Sequence, residues 1–139
     1  MMPVHVAVAV IVNSNSEVLI ALRHKDQHQG GLWEFPGGKL ESQEYVHDAL
    51  SREIKEELGL QIMQSRPLIK VAHDYGDKSV FLDVWLVTEY LGQPKGCEGQ
   101  SLRWCAIEAL KTEEFPAANV PIIAALKNAR INCRFNEIR

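Results

Sequence analysis

Cysteine is scarce in this chain. Cys97, Cys105 and Cys133 are odd in number and follow neither a C-x-x-C spacing nor a Cys/His alternation. That argues against a disulfide framework and a zinc-finger pattern, and fits reduced thiols in a cytoplasmic compartment. Cys97 stands beside Glu98, but an idle thiol is the reading its surroundings favour. There is no basic excess either: the net charge is −3, so no footprint for duplex nucleic acid exists. Long hydrophobic runs are missing too. The apolar opening Met1 to Val12 has no basic leader, and the polar run Asn13 to Glu17 ends it far short of a span. Neither a signal peptide nor a membrane partner is expected. Repeats and low-complexity stretches are absent. What remains is ordinary globular material, 46% hydrophobic and 24% charged over 139 residues. A single domain over 1–139 and a monomer are the expectation.

The most informative stretch runs from Gly37 to Leu60. Val46, Leu50, Ile54 and Leu58 recur every four residues with Ala49 beside them, which predicts a helix over Val46 to Leu58. Gly59 stands where a left-handed C-cap belongs. Tyr45 is a poor N-cap. At about 100° per residue, Glu53, Glu56 and Glu57 fall within an arc of roughly 100° at the edge of the apolar stripe, whereas a solvated acidic face would lie opposite it. Glu53 and Glu57 form a like-charged i,i+4 pair, which is unfavourable in an isolated helix. A hard divalent cation such as Mg²⁺ takes oxygen ligands, and it would relieve that repulsion. Arg52 can reach Glu56 at i,i+4 and orient it.

The spacing carries a second signal. Five residues separate Gly38 from Glu44 and seven more separate Glu44 from Arg52; then come Glu53, Ile54, Lys55, Glu56, Glu57, Leu58, Gly59 and Leu60. This resembles the box of the Nudix hydrolases, G-x5-E-x7-R-E-U-x-E-E-x-G-U with U aliphatic, across 38–60. The resemblance implies an α+β fold in which a mixed β-sheet is sandwiched between α-helices (α/β/α). It implies cleavage of nucleoside diphosphates linked to another group, with Mg²⁺ as cofactor and Mn²⁺ able to substitute. Glu53, Glu56 and Glu57 would be metal ligands with the Gly37 carbonyl. Glu53 would also be a candidate base, and Arg52 and Glu44 would brace the loop–helix–loop.

Elsewhere the residues admit two readings. Val4 to Val12 reads as a strand, with Val18 to Arg23 as its hairpin partner after the Asn13-Ser14-Asn15 turn. Arg23 is a surface cation or a ligand contact. His24 and His28 lie in a polar loop without an assigned role. Gly30 to Gly38 is glycine-rich, which permits close backbone approach to a ligand. Trp33 and Phe35 within it are core aromatics or pocket walls. Ile69 to Tyr75 and Ser79 to Tyr90 read as strands joined by a turn at Asp74 to Lys78. Leu102 to Ile107 is a further strand. Phe115 to Ala129 carries an amphipathic helix with Pro121 near its start. Asn119 is its N-cap, or its amide reads a purine edge, since an amide offers both a donor and an acceptor.

EFPGGKLE, EGQSLRW and FPAANVPII also resemble, in the same order, segments of the MutT-like Nudix enzymes, and that likeness spans Val4 to Lys127. It implies a substrate contact for Arg23, Glu34, Phe35 and Asn119, with Val4 and Val6 lining the base pocket. Tyr75, Asp77, Lys78 and Val80 match the segment that closes over the nucleotide, where the family's aromatic is often Phe. Glu98, an ordinary solvated loop glutamate on its own, would become a fourth carboxylate and an alternative base to Glu53. Lys39 would meet phosphate charge or remain solvated. The substrate implied is a nucleoside triphosphate, above all one with oxidised guanine, split to monophosphate and pyrophosphate. Other nucleotides and an idle nucleotide-sensing domain are the rival readings.

Overall fold

The computed structural model describes residues 2–132; Cys133 and the rest of the C-terminal extension lie outside them. Eight residues of the first β-branched run form β1 (Val4–Ile11). Their side chains alternate between two buried faces, as a strand covered on both sides requires. Val8 and Val10 enter one core, and Ala7, Ala9 and Ile11 the other. A parallel partner, β6 (Ser79–Leu91), lies alongside in the register Val4↔Val80 to Ile11↔Val87. The short strand β4 (Gly37–Lys39) adds antiparallel on the other side of β1, and β5 (Gln61–Asp74) adds antiparallel to β6. The order β4-β1-β6-β5 therefore makes a mixed four-stranded sheet.

The second strand departs from the expected hairpin. β2 (Glu17–Leu22) touches the end of β1 through one isolated bridge, Val12↔Val18. It then leaves for a separate antiparallel sheet, β3-β2-β7, with β3 (Trp33–Glu34) and β7 (Leu102–Ala106). The reason is packing: Val18 and Ile20 are needed in one core and Leu19 in the other, so β2 bridges both layers. β5 also starts earlier than Ile69, at Gln61, and shifts register around Gln64 and Pro67, irregularities that mask its alternation.

Two helices cover the sheet faces. α1 (Val46–Leu58) buries Ala49, Leu50, Ile54 and Leu58. These pack over Ala7 and Ala9, whose small side chains let the helix come close. α2 (Val120–Asn132) buries Ile122, Ile123 and Leu126 against Val8, Val10 and the inner side of β6. The helix–sheet–helix layering is the one implied by the resemblance. On the α1 face of β6, Asp83 is buried, with its carboxylate held by His5 Nε2 at 3.2 Å and by Trp85 Nε1 at 2.9 Å. Among the described residues no helix is long and apolar enough to cross a membrane.

The ends of α1 follow the sequence. Tyr45 is extended at the N-cap and makes no side-chain cap bond. Gly59 adopts φ 72° and donates its N–H to the Lys55 carbonyl. A side chain there must enter the left-handed region, which an L-residue resists. Gly59→Ala is expected to cost about 1 kcal/mol and lower the unfolding midpoint by roughly 2–6 °C. Calorimetry on the two proteins checks it, and an unchanged midpoint would contradict the cap.

Candidate active site

The glycine pair seats α1. Gly37 pairs with Val8, and a Cβ on it would lie 2.1 Å from the Ala7 carbonyl oxygen. A Cβ on Gly38 would meet the Glu53 carboxyl carbon at 2.2 Å. Only glycine leaves room for β1 behind the loop and for the helix carboxylate in front of it. Gly37 N–H donates to Glu57 Oε2 at 3.1 Å.

Arg52 ties the rest together. Its Nε and Nη2 each donate to Glu44 at 2.9 Å, Nη1 donates to Glu53 Oε1 at 2.7 Å, and Nη2 also reaches the Lys39 carbonyl at 3.2 Å. Glu56 is only a peripheral partner at 3.6 Å, with its side chain 56% exposed. Hydrogen bonds from Arg52 hold the Glu44 carboxyl down at about 2, and donating to Glu44 and then to Glu53 raises the guanidinium.

Glu57 behaves oppositely. Burial pushes its carboxyl up to about 8, and the charges of Glu34, Glu53 and Glu98 push the same way. Glu34 is also raised by burial, against the pull of Arg23. Four carboxylates thus share a region in which Glu57 has no cation of its own among the described residues. The donor set is all oxygen, which suits a hard divalent ion. Among the described residues, though, no three His, Cys, Asp or Glu side chains already converge on one point, because Glu53 is turned onto Arg52.

Beside this region opens a cavity of about 400 Å³. Its floor is Val6, Val8, Val80 and Leu82 from β1 and β6. Phe35 forms a wall, buried and stacked on Phe115 at 5.5 Å. Arg23, Lys39 and Lys78 give it positive charge, and Glu34 and Glu57 form its acidic end. Val4 is not part of the lining, since it lies one pleat beyond Val6. Glu98 is not either; with Glu34 and Glu57 it lines an adjoining cavity of about 250 Å³. Asn119 does not cap α2. It ends a 3-10 turn, Ala117–Asn119, is 9% exposed, and faces the main cavity. Among the described residues its amide has no hydrogen-bond partner.

Arg23 is no loose surface cation. It pairs with Glu34, and its Nε donates to the His28 carbonyl at 2.9 Å. Trp33 is half-buried beneath the Arg103 guanidinium, at 4.7 Å from the ring centre, outside the cavity. His28, a loop histidine with no periodicity to mark it, also lines the cavity. Its Nε2 lies 3.3 Å from Asp77 Oδ1, joining the loop after β2 to the turn between β5 and β6.

Glu57 makes stability depend on pH. With its folded value near 8 and an ordinary value of 4.5, the folded state holds more protons than the unfolded one between those limits. Stability therefore falls as pH rises through that window. In chelator, the unfolding midpoint is expected to drop by about 5 °C or more between pH 5 and pH 8.5, and far less in Glu57→Gln. A midpoint that rises equally in both proteins would contradict the assignment.

Comparison with known proteins agrees with this geometry. A family model described as NUDIX domain matches residues 7–125. The 8-oxo-dGTP diphosphatase of Escherichia coli K12 is 38% identical over 127 residues, which cover 91% of this chain and 98% of that one. The CTP pyrophosphohydrolase of the same strain is 32% identical over 123 residues, covering 88% and 91%. A solved structure from a study of MutT from Aliivibrio salmonicida and Vibrio cholerae aligns with a TM-score of 0.76 and 35% identity, over 91% of this chain and 97% of that one. Nudix hydrolases generally need a divalent metal. The chain belongs to the NUDIX family, and it is a hydrolase acting on phosphoanhydride bonds.

Proposed function

We propose that this enzyme hydrolyses the triphosphate of oxidised guanine nucleosides, 8-oxo-dGTP above all, to the monophosphate and pyrophosphate, and so keeps that base out of DNA. The observation that carries the reading is the Asn119 amide, unbonded to any described residue and set in a cavity walled by Phe35 and floored by Val6 and Val80. The amide opens into the cavity rather than being sealed from solvent, and a purine edge there supplies both a donor and an acceptor to it. Likeness to 8-oxo-dGTP diphosphatases over nearly the whole chain supports it.

The chain's own groups divide the work. Arg23, Lys39 and Lys78 face the triphosphate, and His28 with Asp77 borders its entry. Glu53, Glu56, Glu57 and Glu98, with the Gly37 carbonyl, would hold Mg²⁺. When bound, the ion supplies charge neutralisation of the phosphates and acidifies water. Glu53 or Glu98 accepts the proton of the attacking water. Arg52 and Glu44 keep Glu53 in place. Oxidation at C8 turns guanine N7 from acceptor to donor. A main-chain carbonyl near Phe35 would accept that proton, whereas it would face the lone pair of ordinary guanine, a mismatch of roughly 1–3 kcal/mol. We place the protein in the cytoplasm as a monomeric single domain, working on free nucleotides rather than on duplex DNA or a membrane.

The CTP pyrophosphohydrolase relative gives the second reading some weight. That reading leaves the roles of this chain's carboxylates unchanged and alters only the occupant of the Phe35–Asn119 pocket. Steady-state hydrolysis of 8-oxo-dGTP, dGTP and dCTP with Mg²⁺ decides between them. The expected result is pyrophosphate release with a strong preference for 8-oxo-dGTP, reduced about tenfold or more in Asn119→Ala. A dCTP preference, or one for 8-oxo-dGTP that survives in Asn119→Ala, would refute the proposed base recognition. Glu53→Gln is expected to lower kcat by about 100-fold or more with every substrate; near-normal turnover would remove Glu53 from the mechanism.

A further inference from the structure

Tyr75 differs from the rest of the cavity wall in where its hydroxyl goes. The oxygen accepts the Ala118 N–H at 2.9 Å, across 43 residues of sequence. Ala118 lies in the 3-10 turn Ala117–Asn119. The first N–H groups of a helical turn have no acceptor inside it. Ala118 is also 2% exposed, so without Tyr75 a buried donor would be left unpaired. Asn119 N–H in turn donates to the Pro116 carbonyl at 2.9 Å. The turn is thus closed on itself, and Asn119 moves with Ala118.

The ring is fixed independently of the hydroxyl. His28 meets it edge-on at 5.0 Å and His73 at 4.4 Å, and the Tyr75 N–H donates to the Lys78 carbonyl at 2.8 Å. A phenylalanine would preserve these contacts and lose only the bond to Ala118.

We propose that the Tyr75 hydroxyl is a positioning group for base selection: it holds the Ala117–Asn119 turn at the register where the Asn119 amide meets the base. The inference rests on the reading of Asn119 given above. It makes the β5–β6 turn an indirect determinant of base preference, beyond its place beside the nucleotide.

The test is a double-mutant cycle of Tyr75→Phe and Asn119→Ala, read as the ratio of kcat/KM for 8-oxo-dGTP over dGTP. That ratio cancels differences in the folded fraction of each sample. Tyr75→Phe is expected to lower it about 3- to 10-fold, chiefly through KM for 8-oxo-dGTP, the scale of one lost hydrogen bond. In the Asn119→Ala background it is expected to change nothing further. Amide exchange at Ala118 is expected to accelerate in Tyr75→Phe while amides of β6 keep their protection. An unchanged ratio in Tyr75→Phe, with the preference still lost in Asn119→Ala, overturns this inference alone. An equal loss in both backgrounds overturns it as well. A preference that survives Asn119→Ala removes the Asn119 reading and this inference together.

Discussion

Arg52 is the tie on which the arrangement of the box depends. Its guanidinium joins three things that the chain brings together from different places: the Glu44 carboxylate before α1, the Glu53 carboxylate within it, and the Lys39 carbonyl at the end of β4. The two bonds to Glu44 form a planar fork that only arginine matches, and lysine would present a single point charge. The two carboxylates are acceptors in partial burial, where an unpaired group is disfavoured, and the Lys39 carbonyl is an exposed third acceptor. The loop therefore has little freedom to leave the helix, and Glu53 stays over Gly38. The same grip explains why Glu53 and Glu57 are not already gathered as a cage: Arg52 holds one of them aside.

Strand β1 has α1 on one face and the cavity on the other. Along β1, Ala7 and Ala9 face α1, while Val6 and Val8 face the cavity. Period-two alternation sends successive residues to different tasks. The alanines bring the helix near, and the valines leave a smooth apolar floor. Gly37 and Gly38, paired with Val8 and Ala7, are the place where the two sides communicate. A Cβ on Gly37 would strike the Ala7 carbonyl, so the glycine lets the loop lie close along β1, and Gly37, Gly38 and Glu57 all reach the cavity.

This division sets what the sequence could reveal. The box was legible because its spacing is rigid: Gly38, Glu44, Arg52 and Glu53 meet across a tight loop and a helix, and an insertion would part them. The helix ends were legible for local reasons, with Gly59 in the left-handed region and Tyr45 unable to cap. Strand β2 was harder. Its apolar run suits a hairpin with β1 or a second sheet equally, and only the demand of two cores for Val18, Leu19 and Ile20 decides it. His28 was invisible because its place depends on a loop meeting Asp77, 49 residues away. Asn119 showed both of its readings in sequence, and the 3-10 turn before α2 removes the capping one.

The electrostatics then give the site its direction. Arg23, Lys39 and Lys78 bring positive charge to the main cavity, Glu34 and Glu57 form its acidic end, and Glu98 joins those two in the adjoining cavity. Glu34 already has Arg23 as counter-charge, yet burial still raises its carboxyl, so one guanidinium does not satisfy the cluster. Glu57, with no cationic partner among the described residues, is raised to about 8. The acidic end is therefore short of positive charge, and a divalent ion would supply it. The burial of Glu57 among like charges thus gives a physical reason, beside the pattern of the box, for the divalent metal that Nudix hydrolases generally need.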